Sequence, residues 1–155
     1  MEKSFKRIQT GRLSLIMMII FTVANAIAWL FGSLYIFPYA AYTPQLTSLF
    51  ARMLYLKYGF NGAEVFWILI GLALIALYLY AWKIAITKPK GFLIALIAFA
   101  LDTLFFVFSI STTFLRWDVM IAIATHGLIL YHLFTAYREF KQHPEAVEIP
   151  KVKHK

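Results

Sequence analysis

The chain has no cysteine. That excludes disulfides, thiolate metal sites and thiol catalysis, and leaves the redox compartment open. Charge is also scarce: 14% of the residues are charged, against 62% hydrophobic. An ordinary soluble domain carries about 25% charged residues, so the composition excludes one. Acidic residues are fewest, seven against fifteen basic, for a net charge of +8. Such an excess suits nucleic acid, but here the basic residues flank apolar runs, which is a membrane pattern. No nucleic-acid partner is expected. Also missing are a Gly-rich phosphate loop, a His-Glu-x-x-His pair and a Gly-x-Ser-x-Gly elbow. No internal repeat is visible, so an inverted-repeat transporter in one chain has no support. The sequence offers no metal-ligand set and calls for no cofactor.

Long apolar runs are what the chain has instead. They cover about 13–37, 63–87, 92–115 and 118–138. About 20 apolar helical residues cross the hydrocarbon of a bilayer. The expected fold is an all-α integral membrane protein with four transmembrane helices. A short extracytoplasmic amphipathic helix at about 44–58 joins the first to the second. Residues 1–142 form the transmembrane domain, and 143–155, with Pro144 and Pro150, form a flexible cytoplasmic tail. The basic start followed by Ala24-Asn25-Ala26 resembles a signal peptide with its cleavage site. The run continues through Trp29-Leu30-Phe31 and Leu34-Tyr35-Ile36, too long for the apolar core of such a peptide.

The connections carry their own signals. Pro38 ends the first run. Thr43 can cap a helix with Pro44 at its first position. Leu46, Leu49, Phe50, Met53 and Leu54 then recur at helical spacing, with Gln45, Ser48, Arg52 and Lys57 largely off that stripe. This predicts an amphipathic helix on the outer membrane face, or packed over the bundle mouth, stopped by Gly59. Asn61 and Glu64 have the spacing of a capping box, which makes Glu64 a helix-start residue. The second membrane helix has no strongly polar interior residue and is expected to be the most lipid-exposed. Lys88-Pro89-Lys90-Gly91 is a tight basic turn. Arg116-Trp117-Asp118 is an abrupt one, with Trp117 suited to the headgroup level.

Basic residues set the orientation. Lys3, Lys6, Arg7, Arg12, Lys83, Lys88, Lys90 and all those from Arg138 onward fall on one side of four crossings. Arg52, Lys57 and Arg116 fall on the other. The positive-inside rule places both termini in the cytoplasm, with the chain integral to the inner or plasma membrane.

Polar residues inside the apolar runs are the candidate site. A carboxylate near the bilayer centre costs about 2.5–3.5 kcal/mol on insertion scales, so Asp102 needs a partner or a proton. Asp102, Phe106, Ser109 and Thr113 share one helix face; Asp118, Thr125 and His132 repeat every seven on the next. Antiparallel pairing about a turn near Arg116 and Trp117 puts Asp102 level with His132, with Asn25 and His126 about a turn further out. In the first helix Ser14, Met18, Thr22, Asn25, Trp29, Gly32 and Ser33 form a packing stripe. The ligand-binding or proton-relay candidates are therefore Asp102, His132, His126, Asn25, Ser109, Thr125 and Trp29. His126 and His132 lie about 240° apart around the helix and cannot clamp one haem.

Three functions compete. The first is a protein of transport or ligand-binding type, with a protonation-dependent mid-membrane pocket between the first, third and fourth membrane helices. The second is a non-catalytic accessory subunit of a larger membrane complex. The third is an intramembrane lipid-modifying enzyme using Asp102, His126 and His132 as its acid–base set. It lacks a phosphate-binding arginine or metal cluster. The expected partners are the bilayer, a small-molecule or lipid ligand, and a second copy or larger membrane protein. No Gly-x-x-x-Gly motif backs a homodimer.

Overall fold

A computed structural model describes residues 2–33, 37–60, 62–110 and 117–147. Its helices are α1 (Glu2–Leu30), α2 (Thr43–Tyr58), α3 (Ala63–Ala85), α4 (Lys90–Ser109) and α5 (Trp117–Gln142). A 3-10 turn follows at Pro144–Val147. Four of them, α1, α3, α4 and α5, are long and apolar enough to cross a membrane. Each packs on the next around a ring, α1 on α5, α5 on α4, α4 on α3 and α3 on α1. The fifth, α2, lies against α1 and α3.

Leu15, Met18, Phe92, Phe99, Ile129 and Leu133 fill the centre of the ring, all fully buried. Small residues set the close approaches. A Cβ on Gly11 would strike Ala136, and one on Gly71 would strike the Thr47 hydroxyl. Such contacts are how apolar helices pack without a hydrophobic drive between them. Of the four long helices, α3 is the least buried.

At the end of the ring where α3 stops and α4 starts, two arginines of α1 tie helices together. Arg7 pairs with Glu139, joining α1 to α5. Arg12 donates to the carbonyls of Ala85 and Ile86, at 3.1 and 2.5 Å. These are orphan carbonyls of the α3 C-terminus, where a cation is favoured.

Several boundaries depart from expectation. The first apolar run was expected to be helical to residue 37, but α1 stops at Leu30. Gly32 has φ +85°, Ser33 N–H donates to Ala28 O and Gly32 N–H to Trp29 O. This is a Schellman stop with glycine at the position that needs a left-handed backbone. Gly32 therefore belongs to a helix end and not to a packing stripe. The next residues described, from Phe37, turn back between the helices.

The face of α2 is also reversed. Pro44, Gln45, Thr47, Ser48 and Ala51 are buried. Phe50 and Met53, from the apolar stripe, are exposed. Its N-cap residue is Tyr42, and no side chain of that residue caps it. Gly59 ends it as expected, donating to Tyr55 O. The N-cap of α3 is Gly62, in the left-handed region and without a side-chain cap. Asn61 of the expected capping box lies outside the described residues, as do Leu34, Tyr35, Ile36, Thr113 and Arg116.

The helix expected to reach residue 115 ends at Ser109, and the next starts at Trp117. The midpoint between those ends is near residue 113, not 116. That shift moves Asp102 from the level of His132 to that of His126. The tail was expected to be flexible from residue 143, yet Ala146 is buried against the core. Residues 148–155 lie outside the description.

Candidate functional site

Residues 37–42 run through the bundle without regular structure and lead into α2 at Thr43, so the backbone groups of 37–43 need partners from side chains. They find them on three helices. Asn25 on α1 binds Phe37 twice: Phe37 N–H donates to Asn25 Oδ1 at 2.8 Å, and Asn25 Nδ2 donates to Phe37 O at 2.9 Å. Ala41 N–H donates to Thr22 Oγ1 at 2.8 Å. Thr125 Oγ1 on α5 lies 2.9 Å from Pro38 O and shares its one proton between that oxygen and the carbonyls of Ala122 and Ile121 on its own helix, at 2.8 and 3.0 Å. Asp102 on α4 takes the last two: Tyr42 N–H to Oδ2 at 2.8 Å and Thr43 N–H to Oδ1 at 2.7 Å. The helix cap expected from Thr43 thus comes from Asp102, across the bundle. A carboxylate there meets both orphan N–H groups and the positive end of the α2 dipole.

His126 completes this centre. Its ring stacks between Phe99 and Phe106, with centroids 5.0 and 4.7 Å away. Nδ1 lies 2.8 Å from Ala122 O. A carbonyl oxygen only accepts, so that bond puts a proton on Nδ1. Nε2 then faces Asp102 Oδ2 at 3.9 Å, with both side chains 4% exposed. Among the described residues Nε2 has no hydrogen-bond partner. If it carries no proton, a lone pair faces a carboxylate oxygen. If it does, the two form a buried ion pair.

His132 stands apart from that pair. Its Nδ1 lies 3.3 Å from Ser14 Oγ, which also bonds the Tyr39 hydroxyl. All three line a cavity of about 340 Å³ on the α1 side. A second cavity, of about 220 Å³, lies between α2, α3 and α4. Leu74, Leu77 and Leu101 line it, and Asp102, Thr43 and Tyr78 supply its polar groups.

The candidates named from the sequence therefore separate. Asp102, Asn25 and Thr125 converge on residues 37–43. His126 joins Asp102, and His132 does not. Ser109 is exposed; it bonds its own helix at Phe105 O and its side chain also meets the Tyr42 hydroxyl. Among the described residues, Trp29 Nε1 and Gln45 Oε1 are buried without a hydrogen-bond partner. The space between α1, α4 and α5, where a pocket was expected, holds residues 37–43. Sequence reasoning placed Thr22 in a packing stripe only and passed over Tyr39 and Tyr78. Among the described residues, no group of three or more His, Cys, Asp or Glu could hold a metal ion. No family model, curated protein or solved structure matches this chain.

Proposed function

We propose that the chain is an integral membrane protein of transport or ligand-binding type, with a proton-sensitive centre formed by Asp102 and His126. Both termini then lie on the cytoplasmic side of a cell membrane, where the basic end of the ring collects. Asp102 follows Lys90 by about 18 Å of helix, more than half the hydrocarbon thickness. Non-helical backbone at that depth is tolerated only when buried in protein or lining a cavity. Internal helix ends at mid-membrane are also a feature of transporter binding sites. Here α2 starts at that depth and runs outward, its exposed apolar stripe turned to lipid.

The observation that carries the reading is the buried approach of His126 Nε2 to Asp102 Oδ2, at 3.9 Å. Two buried side chains of opposite potential charge at that distance cannot titrate independently, so the charge of His126 is tied to that of the group capping α2.

The test is nitrogen NMR of the protein labelled at histidine, in lipid nanodiscs, as pH is varied. The expected result is an Nε2 resonance of His126 that takes up a proton reversibly and follows a different curve in Asp102→Asn. A His126 signal fixed across the whole range in both proteins would refute the proton-sensitive centre. Proteoliposomes report the same centre functionally. His126→Gln should lower pH-driven flux at least tenfold while α2 stays folded.

A further inference from the structure

We propose that the cavity between α2, α3 and α4 binds a lipophilic amine in its cationic form, admitted sideways from the lipid with its head against Asp102. The shape comes first. The cavity is about 220 Å³, enough for a head and the first part of one chain, and its walls are Leu74, Leu77, Ala98 and Leu101. Leu77 is 39% exposed and Leu101 63%, so its mouth opens on the outer surface of the ring. In a membrane that surface meets hydrocarbon, and the tail of a single-chain amphiphile continues into it.

Charge complementarity selects the head. Among the described residues, Asp102 is the one ionisable carboxyl lining the cavity. Its oxygens already accept from Tyr42 and Thr43, which hold it in place without adding a full positive charge. A buried anion in apolar surroundings favours a cation that brings its own hydrogen-bond donors. A neutral alcohol gains one bond there, and a carboxylate is repelled. Tyr78 from α3 and Thr43 from α2 supply neutral hydroxyls beside it.

The titratable groups around Asp102 are few. His126 faces it from α5, Tyr78 shares its cavity from α3, and the Tyr42 phenol lies near it at the start of α2. From α1 the nearby polar side chains are Thr22 and Asn25, which do not titrate. Protonated His126 and an ammonium head would therefore compete for one carboxylate. This step rests on the Asp102–His126 reading, and it gives that centre a substrate class: binding of the amine expels the proton.

The experiment uses the full chain in phosphatidylcholine nanodiscs and an n-octylamine carrying a photoreactive diazirine on its chain. Labelling is mapped by peptide mass spectrometry at pH 6 and pH 8. Label is expected on the peptides holding Leu74, Leu77 and Leu101, stronger at pH 8. Unlabelled octylamine should displace it at least tenfold better than octanol. Asp102→Asn should lower it at least tenfold. Because that variant disturbs α2, Ala98→Phe serves as the second: it fills the cavity and leaves the Asp102 bonds alone. It too should lower labelling tenfold with unfolding unchanged. Equal displacement by octanol overturns the amine, as does undiminished labelling of Ala98→Phe. Amine-selective labelling that ignores pH upholds the amine site and removes the proton coupling beneath it.

Discussion

Two breaks between helices can be set side by side. One joins α1 to α2 through residues that lie inside the bundle. The other joins α3 to α4 at Ile86–Pro89, at the basic end. The inner break draws on side chains from three helices: Thr22, Asn25, Asp102 and Thr125. The outer one closes mainly on itself. Thr87 and Lys88 N–H both donate to Ile84 O, and Phe92 N–H donates to Pro89 O. Among the described residues its hydrogen-bond partner from another helix is Arg12, at Ile86 O. The difference follows from solvent. A backbone group at an exposed end can bond water, whereas one in an apolar interior must be bonded by the protein. The polar residues of the long helices are therefore placed by the chain that turns back among them.

The largest effect should come from Asp102. Asp102→Ala removes both acceptors at the start of α2, at an expected loss of about 3 kcal/mol in unfolding free energy. Asp102→Asn keeps one acceptor oxygen and should lose about half as much. Unfolding of the detergent-solubilised protein reads the first number, and hydrogen exchange at the Tyr42 and Thr43 amides locates it. If those amides stay protected in Asp102→Ala, the carboxylate is not what holds the inner break.

Asn25 comes next. Asn25→Leu leaves Phe37 N–H and O without partners, for about 1–2 kcal/mol, softened if water reaches them. Thr125→Val keeps the shape and removes one donor to Pro38 O. Its expected loss is about 0.6 kcal/mol, the average for such bonds between membrane helices. The two side chains lie on different helices but serve one segment. Their double variant should lose less than the summed singles, because freeing one end of 37–43 loosens the other. Strict additivity would show that the segment is not a unit.

Much of the architecture was legible in the sequence. Apolar runs give four long helices because length and composition alone decide that property. Gly59 and the Lys88–Pro89 turn are local signals and held their places. The return of residues 37–43 was not legible, although Gly32-Ser33 carries a local stop signal inside an apolar run. A membrane-length count overrode it. The cap on α2 could not be found locally at all, since Asp102 lies 59 residues beyond Thr43. The pairing of Asp102 with His126 was missed for a smaller reason. The helix end was placed at the last apolar residue, about six residues too late, and antiparallel register carries that error straight into depth. The same polar residues that suggested a pocket are, in Asn25 and Thr125, partners of the chain itself.

The smallest effect should be at the outer break. Arg12 bonds two carbonyls at the end of α3 and lies over the Phe140 ring, 5.8 Å from its centroid. Arg12→Gln keeps a donor, and water can reach the carbonyl that it leaves. The expected loss is about 0.5 kcal/mol, the size of an exposed charge at a helix C-terminus. It should shrink further in high salt, which screens exposed charges. The loss in Asn25→Leu should not change with salt, because its bonds are neutral and buried. Were Arg12→Gln to match Asn25→Leu in size and ignore salt, the outer break would be as dependent on its neighbours as the inner one. Solvent access would then not be what separates them.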